Sequence, residues 1–152
     1  MPNPSLQFNL SHSQNYALYG FTCNCLIGVD LEYLRTMNDT VKIAKRFFSP
    51  TESELISRLA ANKQKRVFFQ LWTAKEAYLK ATGVGLAGSL NEIEIEIGFT
   101  PESSVNLFSV QGNVQTAANW SMISFIPVTG YIGTVAIETP HIQQQIEFFT
   151  WN

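Results

Sequence analysis

The spacing of apolar and polar residues predicts a chain that begins with strands, continues with helices and ends with strands. Period-two alternation predicts a short strand through Phe8 and then a hairpin whose second strand is residues 27–32. Helical spacing predicts helices at 41–48, 51–60 and 63–82, and Gly83 and Gly85 should end the last one. Further strands are predicted at 92–97, 105–110, 120–126 and 131–138. The predicted fold class is α+β, an antiparallel β-sheet packed against a long helix that carries the functional site.

Two carboxylates share one face of the predicted strand at residues 27–32 (IGVDLE). Asp30 and Glu32 lie two residues apart, so a strand directs both side chains to the same side. In the predicted helix, Glu76 and Lys80 lie four residues apart in the segment 72–80 (WTAKEAYLK) and are neighbours on one face. If the strand packs against this helix, Glu76 joins Asp30 and Glu32 in one cluster.

Three clustered carboxylates repel one another unless a cation lies among them. The sequence has no Cys or His close to these three positions that would favour zinc. Magnesium prefers a few carboxylates together with water or phosphate oxygens, so Mg²⁺ is the predicted cofactor. Each signal alone has an ordinary explanation, because an Asp-x-Glu pair on a strand is usually solvated and an i,i+4 Glu–Lys pair is usually a surface contact. Their combination with a third segment, residues 8–13 (FNLSHS), favours a site.

These segments, in this order, resemble the 4′-phosphopantetheinyl transferases, specifically the Sfp-type enzymes. The resemblance rests on residues 8–13, 27–32 and 72–80, followed by 81–86 (ATGVGL). It implies Mg-dependent transfer of the 4′-phosphopantetheine arm of coenzyme A to a serine of an apo acyl or peptidyl carrier protein, releasing 3′,5′-ADP. Such enzymes activate the carrier proteins of fatty-acid, polyketide and nonribosomal peptide synthesis.

The resemblance also implies roles for individual residues. It assigns metal binding to Asp30, Glu32 and Glu76. Glu76 matches the general base as well, acting directly or through a metal-bound water. Lys80 matches the lysine that neutralises pyrophosphate charge, and Ser11 with His12 match the pair that contacts coenzyme A phosphates. Without that context, a lone histidine after a strand is more often a surface residue.

Lys75 needs a separate interpretation, because helical geometry places it about 40° from Leu71, on the apolar side of the predicted helix. Either its stem extends along the edge of the core into the cleft, or its ammonium pairs with one of the strand carboxylates. We group it with the coenzyme A-binding residues, in an organising role rather than as a direct phosphate contact.

The resemblance covers only the second of the two similar halves of an Sfp-type enzyme. Residues 1–152 are therefore interpreted as that second half, with residues 2–4 (PNP) resembling the middle of a connection. A truncated gene product, a fragment and a half-size enzyme all remain open. Half-size relatives of the holo-acyl-carrier-protein synthase type bind coenzyme A between subunits. We accordingly expect either a homo-oligomer or a requirement for the missing first half.

Composition limits the other partners. The 152 residues, 45% of them hydrophobic, suffice for one core. A net charge of -2 and a pI near 5.6 argue against nucleic acid as a partner. Two basic clusters could steer an acidic carrier protein, although a solvated helix face explains them equally well. They consist of Lys42, Lys45 and Arg46, and of Lys63, Lys65 and Arg66.

Cysteine usage and hydropathy favour the cytoplasm. Cys23 and Cys25 are separated by one residue, in a predicted hairpin turn between residues 16–21 and 27–32, and are expected to be free thiols. No secretory segment opens the sequence, and no apolar run is long enough to cross a membrane. Two competing functions remain: a noncatalytic remnant that binds carrier proteins, and another Mg²⁺-dependent phosphoryl-transfer enzyme or hydrolase.

Overall fold

The computed structural model describes residues 5–85, 89–98, 104–139 and 146–151. Residues 2–4 and Leu86, which the sequence interpretation uses, lie outside the described residues. The strands are β1 (Leu6–Ser13), β2 (Tyr16–Cys23), β3 (Ile27–Tyr33), β4 (Ile93–Ile97), β5 (Val105–Val110), β6 (Ser121–Phe125) and β7 (Tyr131–Ile137). The helices are α1 (Thr40–Phe47), α2 (Pro50–Arg58), α3 (Ala61–Thr82) and α4 (Val114–Ala118), and a 3₁₀ turn covers Leu90–Glu92.

The α+β class is confirmed, with every described strand pair antiparallel. The strands form three small sheets rather than one: β1–β2, β3–β7–β6 and β4–β5. The long helix α3 has 22 residues and packs against both β3 and β7. It ends at Gly83, whose φ of 73° is the left-handed conformation that glycine adopts without strain.

The hairpin predicted between residues 16–21 and 27–32 is wrong. β2 pairs instead with β1, through a turn in which Gln14 has φ 52°. β3 pairs with β7, in a register that sets Asp30 opposite Thr134. Local pattern cannot identify a partner strand that is so distant in sequence. Cys23 and Cys25 are free thiols, as expected.

Close packing of β3 on α3 brings the two predicted motifs together. A Cβ added at Gly28 would lie 1.9 Å from the carbonyl oxygen of Ala77, so only glycine allows the strand to approach the helix this closely. The hydroxyls of Thr73 on α3 and Thr134 on β7 are 2.9 Å apart, in the buried layer between helix and sheet. The polar faces of β3 and α3 therefore meet where β3 runs past the last turns of the helix.

Helix α2 and strand β4, which flank this region, form from local signals in the sequence. α2 begins with a capping box, in which the Ser49 side chain accepts from the Glu52 amide and the Glu52 carboxylate accepts from the Ser49 amide. β4 covers residues 93–97 of the strand predicted at 92–97, and its residues alternate in burial, with Ile93 and Ile95 buried and Glu96 exposed. None of the described helices is long and apolar enough to cross a membrane.

Candidate active site

Asp30 lies at the centre of the polar face where β3 meets α3. Its side chain is buried, and Oδ1 lies 2.7 Å from the ammonium nitrogen of Lys80. The hydroxyl of Ser11 donates to the same oxygen at 3.1 Å. Burial raises the pKa of Asp30, while the charge of Lys80 and its hydrogen bond act in the opposite direction. The predicted packing of strand against helix is therefore confirmed at this residue.

Lys80 reaches β3 from the last turn of α3. Its ammonium donates to Asp30 Oδ1 at 2.7 Å, to Ser11 Oγ at 3.0 Å and to the Val29 carbonyl at 3.2 Å. An ammonium has three N–H groups, so all three are used. Lys80 is the counter-charge of Asp30 in this structure, and a contact with an anionic ligand requires exchange of one of these bonds.

Glu76 lies one turn earlier on the same helix and is buried, with 8% of its surface exposed. Among the residues that the structure describes, its Oε1 atom has no hydrogen-bond partner, and neither has Oδ2 of Asp30. Burial, followed by the negative charge of Asp30, raises the pKa of Glu76 to about 7, and Lys80 only partly opposes the shift. At neutral pH this carboxyl group therefore exists in both protonation states.

Glu32 lies at the edge of this arrangement, with its carboxylate 3.2 Å from the guanidinium of Arg35. Burial and the charge of Asp30 raise the pKa of Glu32, although Arg35 opposes the shift. The guanidinium of Arg35 also lies 5.3 Å from the ring centroid of Phe69, above its face. Within the part of the chain that the structure describes, no three Asp, Glu, His or Cys side chains are arranged to hold a metal together.

The residues present nevertheless fit Mg²⁺ in chemistry. Two buried carboxylate oxygens, Asp30 Oδ2 and Glu76 Oε1, have no hydrogen-bond partner within the described part of the chain, and such atoms are destabilising unless a ligand satisfies them. They are hard oxygen donors, and Mg²⁺ typically uses one or two protein carboxylates with water and phosphate oxygens. Glu32 is the candidate third ligand, now paired with Arg35.

Ser11 and His12 are separated by the alternation of β1. Ser11 is buried and joins the cluster through Asp30 and Lys80. His12 is exposed and points to the opposite face of the strand, as successive residues of a strand must. The structure thus brings only Ser11 of this pair into contact with the carboxylate cluster.

Lys75 occupies neither of the two predicted positions. Its ammonium is fully buried and lies 2.7 Å from Glu52 Oε2 on α2, with further hydrogen bonds to the carbonyls of Leu90 and Ile93. The expectation of a strand carboxylate as its partner, or of a stem reaching the cleft, is wrong. The helix angle gave the correct apolar side, but the partner depends on how α2 packs. The buried ion pair with Glu52 therefore gives Lys75 a structural role.

Sequence reasoning missed two polar residues of this region. Glu52 lies in the first turn of the helix predicted at 51–60, and its carboxylate, which pairs with Lys75, also accepts from the Ile95 amide at 2.8 Å. Arg35 follows Glu32 by three residues just beyond β3, where no periodic pattern marks it. A Ser-x-x-Glu capping box was the available signal for Glu52, whereas nothing local pointed to Arg35.

Comparison with known proteins identifies the family. The family model ACPS, described as the 4′-phosphopantetheinyl transferase superfamily, matches residues 26–136. The 4′-phosphopantetheinyl transferase HetI of a Nostoc species is 46% identical over 132 residues, which cover 87% of this chain and 52% of HetI. The 4′-phosphopantetheinyl transferase Sfp of Bacillus subtilis is 34% identical over 105 residues, covering 68% of this chain and 45% of Sfp.

The chain belongs to the 4′-phosphopantetheinyl transferase superfamily. It spans about half the length of the curated relatives it matches. Its fold is similar to that of the apo-ACPS structure from Chronobacterium ammoiniagenes, with a TM-score of 0.51 at 18% identity, covering 74% of this chain and 94% of that one. The family and fold expected from the sequence motifs are thus confirmed.

Proposed function

We propose that this chain carries the catalytic cluster of an Mg²⁺-dependent 4′-phosphopantetheinyl transferase. The carrier-protein serine oxygen attacks the β-phosphorus of coenzyme A, forming a new P–O bond. The P–O bond to the leaving 3′,5′-ADP breaks, and the serine proton passes to a base. The observation that carries the proposal is a pair of buried carboxylate oxygens, on Asp30 and Glu76, that lack a hydrogen-bond partner among the described residues and lie in one cluster with the ammonium of Lys80.

Asp30, Glu32 and Glu76 would hold Mg²⁺ in this cluster. A bound ion would neutralise negative charge on the pyrophosphate and on the transferred phosphoryl group. Burial raises the pKa of all three carboxyl groups, and the negative charge of Asp30 raises those of Glu32 and Glu76 further, which supports a cation at this position.

Glu76 is the proposed general base. Without a metal ion, burial and the charge of Asp30 raise the pKa of Glu76 to about 7, so its carboxylate binds a proton more readily than an ordinary glutamate does, and a bound cation would lower this pKa. It takes the proton of the attacking serine directly or through one water molecule. Its position on the rigid interior of α3, next to Asp30, keeps it oriented.

Lys80 is the proposed cationic partner of the pyrophosphate. It is already at the cluster, held by Asp30, Ser11 and the backbone of β3. When a pyrophosphate arrives, one N–H turns from a protein acceptor to a phosphate oxygen, so little reorganisation is needed. His12, exposed on the other face of β1, is available to a more distant phosphate of coenzyme A.

The carrier protein is proposed to dock beside the first turns of α1 and α3. A groove of about 840 Å³ lies there, and its cationic lining residues are Lys42, Lys45 and Lys65. Acyl and peptidyl carrier proteins are typically acidic, and an exposed basic surface accelerates the approach of an acidic partner.

A second surface is proposed to contact either another copy of this chain or a segment equivalent to the half of its relatives that this chain does not match. One face of the β1–β2 ribbon is apolar yet exposed, with 68% of Phe8 and 59% of Phe21 accessible. These two residues are directly opposed across the strands, next to the opposed pair Leu10 and Tyr19. A contiguous apolar face of this kind normally belongs to an interface. The free thiols at Cys23 and Cys25 support a cytoplasmic location.

The test is to incubate the chain with coenzyme A, Mg²⁺ and an apo carrier protein, and to measure the intact mass of the carrier. The proposal predicts a mass gain of one phosphopantetheine, and none on a carrier whose acceptor serine is replaced by alanine. The assay is run at several protein concentrations, with light scattering, because activity that rises with self-association would support a site shared between copies. Carrier binding without any mass gain under all conditions would instead support the noncatalytic remnant.

A further inference from the structure

Strand β1 reverses the usual orientation of apolar and polar residues. Its apolar side chains, including Phe8 and Leu10, face outward and are exposed. Its polar side chains at Asn9, Ser11 and Ser13 face inward, towards β3. A strand that directs polar groups inward needs partners for them, because an unpaired buried polar group is destabilising.

The partners are the backbone amides along the free edge of β3. Among the described strands, β3 pairs only with β7, on one side, so alternate N–H groups on its other edge have no strand partner there. Three inward side chains of β1 accept from these groups at regular intervals of two residues. The bonds join Asn9 Oδ1 to Val29 N at 3.1 Å, Ser11 Oγ to Leu31 N at 3.1 Å and Ser13 Oγ to Tyr33 N at 3.0 Å.

These three hydrogen bonds are possible because the β1–β2 ribbon lies very close to β3. Gly20 on β2 is paired with Asn9 and faces β3. A Cβ at this position would lie 2.7 Å from Cγ1 of Val29 and 2.9 Å from Cδ1 of Ile27, so a larger residue would push the ribbon away from β3.

Ser11 differs from the other two residues because its hydroxyl also contacts the carboxylate cluster. It donates to Asp30 Oδ1 at 3.1 Å and accepts from both Leu31 N and Lys80 Nζ, at 3.1 and 3.0 Å. A hydroxyl has one donor and two acceptor positions, so all of them are occupied. Contact with a coenzyme A phosphate would require Ser11 to give up its bond to Asp30.

We propose that Asn9, Ser11 and Ser13 form a side-chain ladder that holds the free edge of β3, and that Ser11 is a positioning residue for Asp30 and Lys80. This differs from the role that the family resemblance implies, in which Ser11 contacts coenzyme A phosphates. The ladder stands on the observed hydrogen bonds alone. The effect of Ser11 on phosphopantetheine transfer rests on the proposed function.

Amide hydrogen exchange, measured by NMR on the protein without ligands, tests the ladder. Ser11→Ala should accelerate exchange at the Leu31 amide by about tenfold and leave the Tyr33 amide within about twofold, because each bond protects one amide. Ser13→Ala should give the converse pattern. Unchanged exchange at Leu31 in Ser11→Ala, or equal acceleration along the whole of β3 in both variants, would refute the ladder.

Steady-state kinetics then tests the positioning role. Ser11→Ala should lower kcat by about tenfold or more and leave the KM for coenzyme A within about twofold, with Ser11→Thr restoring most of kcat because it keeps the hydroxyl. Ser13→Ala, which removes a ladder bond without touching Asp30 or Lys80, should change kcat by less than about twofold. A raised KM with unchanged kcat in Ser11→Ala would show that Ser11 is a phosphate ligand. If the wild-type chain transfers nothing, the proposed function fails, whereas the exchange measurement still decides the ladder.

Discussion

Replacing Glu76 by glutamine should make the metal-free protein more stable at alkaline pH. The carboxyl group of Glu76 is buried next to Asp30, and these surroundings raise its pKa from 4.5 to about 7. The folded protein thus holds this proton more tightly than the unfolded chain does. The stabilising contribution is complete below the unfolded pKa near 4.5 and is lost as the pH rises through 7.

The magnitude follows from the size of the shift. Each pKa unit corresponds to about 1.4 kcal/mol, so ionised Glu76 costs the fold about 3 kcal/mol above pH 7 relative to its neutral form. Glutamine has nearly the same shape and no charge at any pH. The Glu76→Gln variant should therefore match the wild type in free energy of unfolding near pH 4 and exceed it by up to about 3 kcal/mol at pH 8.

Urea unfolding followed by tryptophan fluorescence, at several pH values and without divalent cations, provides the measurement. Glu96→Gln is the matched control, because Glu96 is exposed on β4 and its replacement should change stability by less than about 0.5 kcal/mol. Equal stability of Glu76→Gln and wild type at pH 8 would refute the account of a carboxylate strained by burial and by Asp30.

Three further predictions concern residues around the cluster. Lys75→Met should lower the free energy of unfolding, measured in urea, by about 3–5 kcal/mol, because it leaves the buried Glu52 carboxylate without its ammonium partner. Lys42→Met, at an exposed site, is the control and should change this free energy little. A similarly small loss in both variants would contradict the structural role of Lys75. Gly28→Ala should lower the free energy of unfolding by at least about 1–3 kcal/mol in the same assay, because the added Cβ would overlap the backbone of α3. A free energy of unfolding equal to that of the wild type would show that the helix can move aside. His12→Ala should weaken coenzyme A binding, measured by calorimetry. If His12 contacts the 3′-phosphate, the variant should lose less affinity for 3′-dephospho-coenzyme A than for coenzyme A. Unchanged affinities for both ligands would show that His12 is an ordinary surface residue.

The sequence predicts well those features that depend on local periodicity. Helix α3 was expected at 63–82 and is observed at Ala61–Thr82, because its apolar spacing and the glycine at its end are both local signals. The sequence also predicts that Asp30 and Lys80 lie on the faces of β3 and α3 that meet, because the strand and helix periods determine which side chains share a face. The short helix α4 was not predicted, since its five residues hold too little periodic signal.

Features that depend on long-range packing were not predicted. The sequence does not indicate that β3 pairs with β7 rather than with β2, or that the partner of Lys75 comes from α2. Alternation in β1 predicts a strand correctly, but its usual interpretation would bury Phe8 and expose Ser11. The observed reversal follows from the unpaired edge of β3, which a local pattern does not reveal.

The most direct test of the proposed active site is the rate of holo-carrier formation by wild type, Glu76→Gln and the Glu96→Gln control, measured by intact mass at saturating coenzyme A and Mg²⁺. Glu76→Gln should form holo-carrier at least about 100-fold more slowly while remaining folded and, without metal at pH 8, more stable than wild type. Glu96→Gln should keep the wild-type rate. Transfer by Glu76→Gln at the wild-type rate would contradict the assignment of Glu76, and with it the proposed catalytic cluster.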